Sequence, residues 1–500
     1  MKNLKTKYFN PTLDLIEILN QDQTFTIVAI DHHLDGCSLE LKKSDGEFSF
    51  ETISPLVGGL QNHKEIQFER SDSLKFVNEN RTLHLQGKDY LANDIGYLEH
   101  DSKYSKGTIS SFSTNVITND SKEVLLRYVV PVGEKNKLDL RDFKKTLFQV
   151  GNGTSLLFAC NIDGHGFDLI NVRKDGFYYF IIDCLEPIQK KEFQKKCYNT
   201  LLGIALLKGD LVLNESYLLT FDDSKLKEPK SIEYTSMRSS VFSNQPLITT
   251  NPFSVRIFDE DFERDEKGMI SESQRKKLYE GIVDVSSDVF SKLVTLFCEE
   301  EKVQRAALLY ILGHKATLEI RIPNYYVALE AITSYLSRTV MDSSKKLNPI
   351  KDKKIANDLI EEIKILIQDK KEQKGLTDEE INIQVLFKNV DRLNSPPNAD
   401  KLAKSFEIIG YGLTSEQFKM IKDRNSYLHG SFIKTESEEE RFRDALHLSL
   451  RLHFLIGVLL LKQVGYDGKI INYAKLLSHI TGKEIDEEVL ININEQTNAV

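Results

Sequence analysis

Arg424, Asn425 and His429 stand close together in the run Arg424-Asn425-Ser426-Tyr427-Leu428-His429-Gly430. An imidazole is the side chain suited to moving protons near neutrality. A guanidinium supplies fixed positive charge through a planar set of donors. Together they fit RNA cleavage without a metal. In that route the 2′-hydroxyl attacks the adjacent phosphate, His429 acts as general base or acid, and Arg424 stabilises charge moving toward the leaving oxygen. Asn425 and His429 are four apart and share a helix face, so Asn425 either orients the imidazole or contacts a phosphate oxygen. Arg424 lies about 140° around the helix from His429. Either its side chain curls back, or two copies of the motif meet across an interface, which makes a homodimer attractive.

Other residues stand ready to support this chemistry. Leu413-Thr414-Ser415-Glu416-Gln417 predicts a helix start, with Thr414 capping free amides and Gln417 completing a capping box. Arg443, His447 and Arg451 are spaced four apart on the last long helix and form a basic stripe that guides RNA phosphates or is simply a solvated face. Lys419, Lys422 and Lys434 add positive charge beside the motif, partly offset by Glu436, Glu438, Glu439 and Glu440. Glu330 either pairs with Arg424 and holds its geometry or is an ordinary exposed carboxylate.

The run from Arg424 to Gly430 resembles the R-N-x-x-x-H-G signature of the HEPN superfamily of ribonucleases. Upstream, Tyr325-Tyr326-Val327-Ala328-Leu329-Glu330-Ala331-Ile332 resembles the Val-Ala-Leu-Glu-type helix common in larger HEPN proteins. The order of a β-rich front, the Leu201-to-Asp210 segment LLGIALLKGD and a HEPN back is similar to ApeA-type anti-phage defence proteins. The resemblance implies a metal-independent endoribonuclease, homodimeric with a composite cleft, that leaves a 2′,3′-cyclic phosphate. Its catalytic residues would be Arg424, Asn425 and His429, supported by Glu330 and Tyr427, with Lys422, Arg443, His447 and Arg451 on the RNA. It also implies abortive defence, with host or phage RNA, frequently tRNA, as substrate and a phage-derived trigger at the N-terminal domain. Two alternatives remain open: a non-catalytic dimerisation or ligand-binding module, and a toxin component working beside a nucleotidyltransferase.

The elements that must position these groups follow from pattern. Short β-branched and aromatic runs between residues 20 and 235, among them TFTIVAI, KEIQFER, TLHLQG, EVLLRYVV, GFYYFII and SYLLTF, predict strands. Turn formers such as Ser44-Asp45-Gly46, Gly151-Asn152-Gly153 and Lys174-Asp175-Gly176 separate them, which points to a sandwich or barrel. EFQKKCYNTLLGIALLKG is periodic enough for a helix. Helical periodicity then dominates, with helices expected near 271–299, 301–320, 324–340, 351–370, 376–393, 398–409, 414–429, 437–464 and 471–481. The expected organisation is a β-rich sensor domain over 1–235, a linker over 236–253 and an all-helical HEPN-type domain over 254–490, an α+β multidomain protein.

Composition bounds the rest. The chain has 500 residues, 40% hydrophobic and 28% charged, which is a globular composition. A net charge of −9 argues against a protein that coats long nucleic acid but not against an enzyme that grips a few phosphates. Cys37, Cys160, Cys184, Cys197 and Cys298 form no CxxC pair and read as reduced thiols. The most apolar run, Leu452 to Leu461, is about half a membrane span, and the reading is a cytoplasmic protein without a membrane partner. Asp31-His32-His33-Leu34-Asp35 invites a metal, with Asp163, His165 and Asp168 as partners through folding. No familiar ligand spacing supports it, so turns with polar caps are expected, with no metal and no cofactor.

Overall fold

A computed structural model describes residues 9–494 except 30–31, 33, 45, 56–67, 70–71, 99–101, 116–121, 134–139, 141, 151–152, 212–214, 237–240, 243–245, 256–269, 340–347, 396 and 429–436. The chain divides into two compact units, Met1–Thr250 with Val283–Glu300, and Asn251–Ile282 with Glu301–Val500. The first is built on one large antiparallel sheet and the second is mostly helical, an α+β layout.

In the first unit the sheet runs as a continuous antiparallel path from Thr146–Val150 to Tyr90–Leu98. Strands with one wet face alternate, as in Gln23–Val28, Ser38–Ser44 and Ser73–Val77. Glu215–Phe221 is buried at every position, because it pairs with Glu123–Gly133 on one side and Ser231–Ser236 on the other with both faces covered. The expected turn at Asp175-Gly176 closes a hairpin, both residues having positive φ (48° and 93°). The runs TLHLQG, EVLLRYVV, GFYYFII and SYLLTF lie in strands. KEIQFER falls largely outside the described residues, and its described Phe68 and Glu69 are not in a strand.

A buried ion pair ties the first helix, Asn10–Leu19, to this sheet. Arg127 donates to both carboxylate oxygens of Asp183 (2.7 and 3.0 Å) and to Thr12 Oγ1 (2.9 Å). The predicted central helix is Lys190–Lys208, ended by Gly209 in the left-handed conformation.

The expected helix 271–299 is corrected in two respects. It is two helices, Glu272–Tyr279 and Ser287–Glu299, with Gly281 at φ +72 between them. The second belongs to the sheet unit, not to the helical one. Its apolar face meets the sheet: Phe290 lies edge-on to Phe143 and Phe158, and Ser287 Oγ donates to the Ala159 carbonyl at 2.7 Å. It also passes close to the Lys190–Lys208 helix at Gly203, where a Cβ would come within 3.2 Å of the Phe290 ring.

The second unit is organised around Glu438–Lys462. Ser437 caps its start and Glu438, Glu439 and Glu440 sit where the helix dipole favours negative charge. Among the described residues this is the one helix long and apolar enough to cross a membrane, and 89% of its apolar window is buried inside the protein. Leu318–Thr339 packs along it, and Glu301–Gly313 and Asn398–Ile408 pack on Leu318–Thr339. Arg321 ends the Glu301–Gly313 helix by donating to the carbonyls of Gly313 (3.1 Å) and His314 (2.6 Å).

Candidate functional site

The predicted helix start is present. Gln417 N donates to Thr414 Oγ1 (3.2 Å) and Thr414 N to Gln417 Oε1 (3.0 Å), the reciprocal pair of a capping box. Gln417 is itself buried, its amide donating to the Tyr411 hydroxyl at 3.3 Å, so this cap also fixes the helix to the core. The helix is shorter than expected. Ser415–Lys422 stops at Asp423, and Arg424–Leu428 is a separate short turn of helix. A single regular helix from 414 to 429 therefore does not set the angle between Arg424 and its neighbours.

At the start of that short turn Arg424 is held from two sides. It pairs with Glu330, which projects from Leu318–Thr339. Its Nη1 donates to Asn425 Oδ1 at 2.7 Å. The Arg424 side chain is 13% exposed, and its Nε is buried without a hydrogen-bond partner. Burial pulls the guanidinium pKa down and the neighbouring Tyr326 hydroxyl opposes it. Tyr427 stacks on Tyr326 with centroids 5.8 Å apart, and the Tyr326 hydroxyl donates to the Met420 carbonyl at 2.8 Å. Those two contacts dock both short helices onto the one that carries Glu330. Burial first, then the Asp423 and Asp444 carboxylates, raises the Tyr427 hydroxyl pKa.

His429 lies outside the described residues, as do Gly430 and Lys434. The structure thus brings together Arg424, Asn425, Glu330 and Tyr427. Lys422 is exposed on the last turn of its helix.

The basic stripe does not exist as drawn from the sequence. Arg451 is 2% exposed and lies between two carboxylates, Glu416 Oε2 (2.7 Å) and Glu487 Oε2 (2.5 Å). Glu487 also accepts from Asn472 Nδ2 at 2.7 Å. Arg451 is therefore a buried bridging cation and presents no donor to a phosphate. His447 Nε2 faces Glu416 Oε1 at 3.1 Å. Arg443 alone is solvated, where it pairs with Glu439 at 2.5 Å.

Beside the motif lies a cleft of about 300 Å³, lined in part by Tyr427, Lys419, His447, Asp444 and Lys483. Its wall carries two lysines and one imidazole against the carboxylates of Glu416, Asp423, Asp444 and Glu484. Lys483 pairs with Asp444 at 2.7 Å. One copy of this wall carries no surplus of positive charge.

Sequence reasoning missed Tyr326 and Glu416. Tyr326 stands four residues before Glu330 on the same helix face, a spacing that was available to find it. Glu416 carries no such signal, because its partners are distant in sequence.

In the run from Asp31 to Asp35, the described residues make polar turn contacts, as expected from the sequence. His32 stacks on Phe68 (4.0 Å) and its Nδ1 accepts from Leu34 N, while Asp35 accepts from Ala29 N at 2.8 Å. Asp31 and His33 lie outside the described residues. Among the described residues no three His, Cys, Asp or Glu side chains converge as a metal site.

Comparison with known protein families, with curated proteins and with solved structures finds no match for this chain.

Proposed function

We propose that this protein is a metal-independent endoribonuclease whose second unit is a HEPN-type helical bundle and whose first unit is a sandwich- or barrel-like sensor. The observation that carries this reading is the Arg424 guanidinium, fixed by Glu330 and Asn425 before any substrate arrives. Preorganised charge of this kind is what a migrating phosphate charge requires. In the proposed reaction the ribose 2′-oxygen bonds to phosphorus as its proton leaves to a base. The bond from phosphorus to the 5′-oxygen breaks, and that oxygen takes a proton from an acid. The product is a 2′,3′-cyclic phosphate and a 5′-hydroxyl. His429 is the base or the acid, Arg424 neutralises the phosphate oxygens, and Asn425 keeps the guanidinium in place.

Two copies act together in this reading, since a wall rich in carboxylates needs a second Arg424 and His429 nearby to attract RNA. The setting is cytoplasmic abortive defence, with tRNA or other host or phage RNA cut once the first unit meets a phage-derived trigger. The test is cleavage by purified protein in EDTA with analysis of the RNA ends. Arg424→Ala and His429→Ala should each abolish it, and cleavage that survives both changes ends the proposal.

One observation favours a second reading, a non-catalytic module for dimerisation or ligand binding. Glu330 already neutralises Arg424, as it would in a purely structural pair. Full folding with no RNA cleavage by the wild type would select it.

A further inference from the structure

The Lys353–Gln373 helix stands apart from the rest of its unit. It has 21 residues and an amphipathic pattern, yet Ala356 is its only buried residue. Ile383–Val390 lies against it, joined through a Lys364–Asp391 ion pair at 2.8 Å, and buries only Val390. Together they form an arm with little of its apolar surface covered.

At about 100° per residue, Ile355, Leu359 and Leu366 fall within a sector of about 40° on the long helix. They are 59%, 43% and 56% exposed. The stripe runs for about 16 Å along the axis. Large apolar side chains left exposed along one helix face mark a surface that a partner covers.

The charges at the two ends of the helix indicate which partner. Laid antiparallel on a second copy of itself, the helix sets Ile355 opposite Leu366, and the two residues that precede it, Lys351 and the capping Asp352, come near Asp369 and Lys370 respectively. These three pairings agree on one register to within a single residue, and each joins complementary groups. A parallel pairing would instead set each charge beside its own copy, and end charges are what fix the orientation of paired helices. We infer that this arm is a self-association surface, and that its occupant is the same helix of a second copy in antiparallel register. The inference rests on the homodimer of the reading above but not on RNA cleavage, and it adds where the two copies join.

Sedimentation velocity of the full chain at micromolar concentration tests it. The wild type should be a dimer. Leu359→Glu with Leu366→Glu changes only exposed positions and should weaken the dimer at least a hundredfold. Lys351→Glu should weaken it about tenfold, with two ion pairs reversed per dimer, and adding Asp369→Lys should restore it. A monomeric wild type overturns the inference, as does a monomer that binds RNA through the stripe. A dimer that survives the double leucine change also overturns it, and so does a charge swap that fails to restore the single variant. If that surviving dimer still cuts RNA, the ribonuclease reading stands without the arm. If the dimer breaks as expected but the wild type cuts nothing, the arm stands without the ribonuclease.

Discussion

Arg424 and Glu330 are an ion pair between two separate helices, one carrying the Arg424-to-Gly430 motif and the other the Tyr325-to-Ile332 segment. Glu330 is the more exposed partner, so its charge is largely screened and the pair contributes about 1 kcal/mol or less to stability. Its larger effect is on geometry, because a guanidinium misplaced by a fraction of an ångström loses much of its hold on a phosphate.

Glu330→Gln should therefore separate the two effects. We expect RNA cleavage to fall about tenfold while the melting temperature moves by only a few degrees. Unchanged or faster cleavage would show that Glu330 restrains Arg424 rather than positioning it.

Arg424→Lys keeps a positive charge but not the planar set of donors. An ammonium can still meet Glu330, whereas the second contact, to Asn425 Oδ1, uses the fork of the guanidinium. Cleavage should drop on the order of a hundredfold with little change in stability. A lysine variant with full activity would reduce the role of Arg424 to bulk charge.

A cluster in the second unit predicts a pH dependence of stability. His453 is fully buried beside Tyr310, His314 and Tyr325. Burial, then the charge of Arg321, holds the His314 pKa down at about 3. Burial, then His314 and Arg321, holds His453 well below its usual value. In the unfolded chain both histidines take up a proton near pH 6.5, whereas the folded protein resists. Stability is therefore complete above about pH 6.5 and is lost as pH falls toward 3. Urea unfolding at pH 7 and pH 5 should differ by on the order of 2 kcal/mol from His314, with His453 acting in the same direction, and His314→Gln should shrink the difference. A flat profile between those pH values would contradict the buried neutral pair.

Much of this architecture can be read from residue types. The capping box at Thr414 and Gln417 is legible because it depends on two side chains three residues apart. The Arg424–Glu330 contact is legible because two motifs each contribute one charged group. The side on which Ser287–Glu299 packs is not, since an amphipathic stripe looks alike whether a sheet or a helix covers it. The break at Asp423 has no glycine or proline to announce it. Arg451 misleads for a related reason. Its spacing from Arg443 and His447 describes one helix face, but Glu416 and Glu487, which bury it, come from 35 and 36 residues away.

That burial yields a last prediction, in which two arginines of one helix behave differently. Removing Arg451 leaves the mostly buried Glu487 with only the Asn472 amide, while the half-exposed Glu416 keeps His447 and solvent, so Arg451→Met should cost on the order of 2 kcal/mol. Glu416 reports the same network. Burial raises its carboxyl pKa, but hydrogen bonds from Arg451 and His447 outweigh that and leave it below its ordinary value. Arg443→Ala, at an exposed pair, should cost under about 0.5 kcal/mol. RNA binding should invert the order. Of these two, Arg443 is the one that can reach a phosphate, so its loss should reduce the salt dependence of RNA binding by about one phosphate contact. Arg451→Met, measured where it is still folded, should leave that slope unchanged. A slope that falls with Arg451 and not with Arg443 would mean that the Glu416 and Glu487 bridge opens when RNA binds.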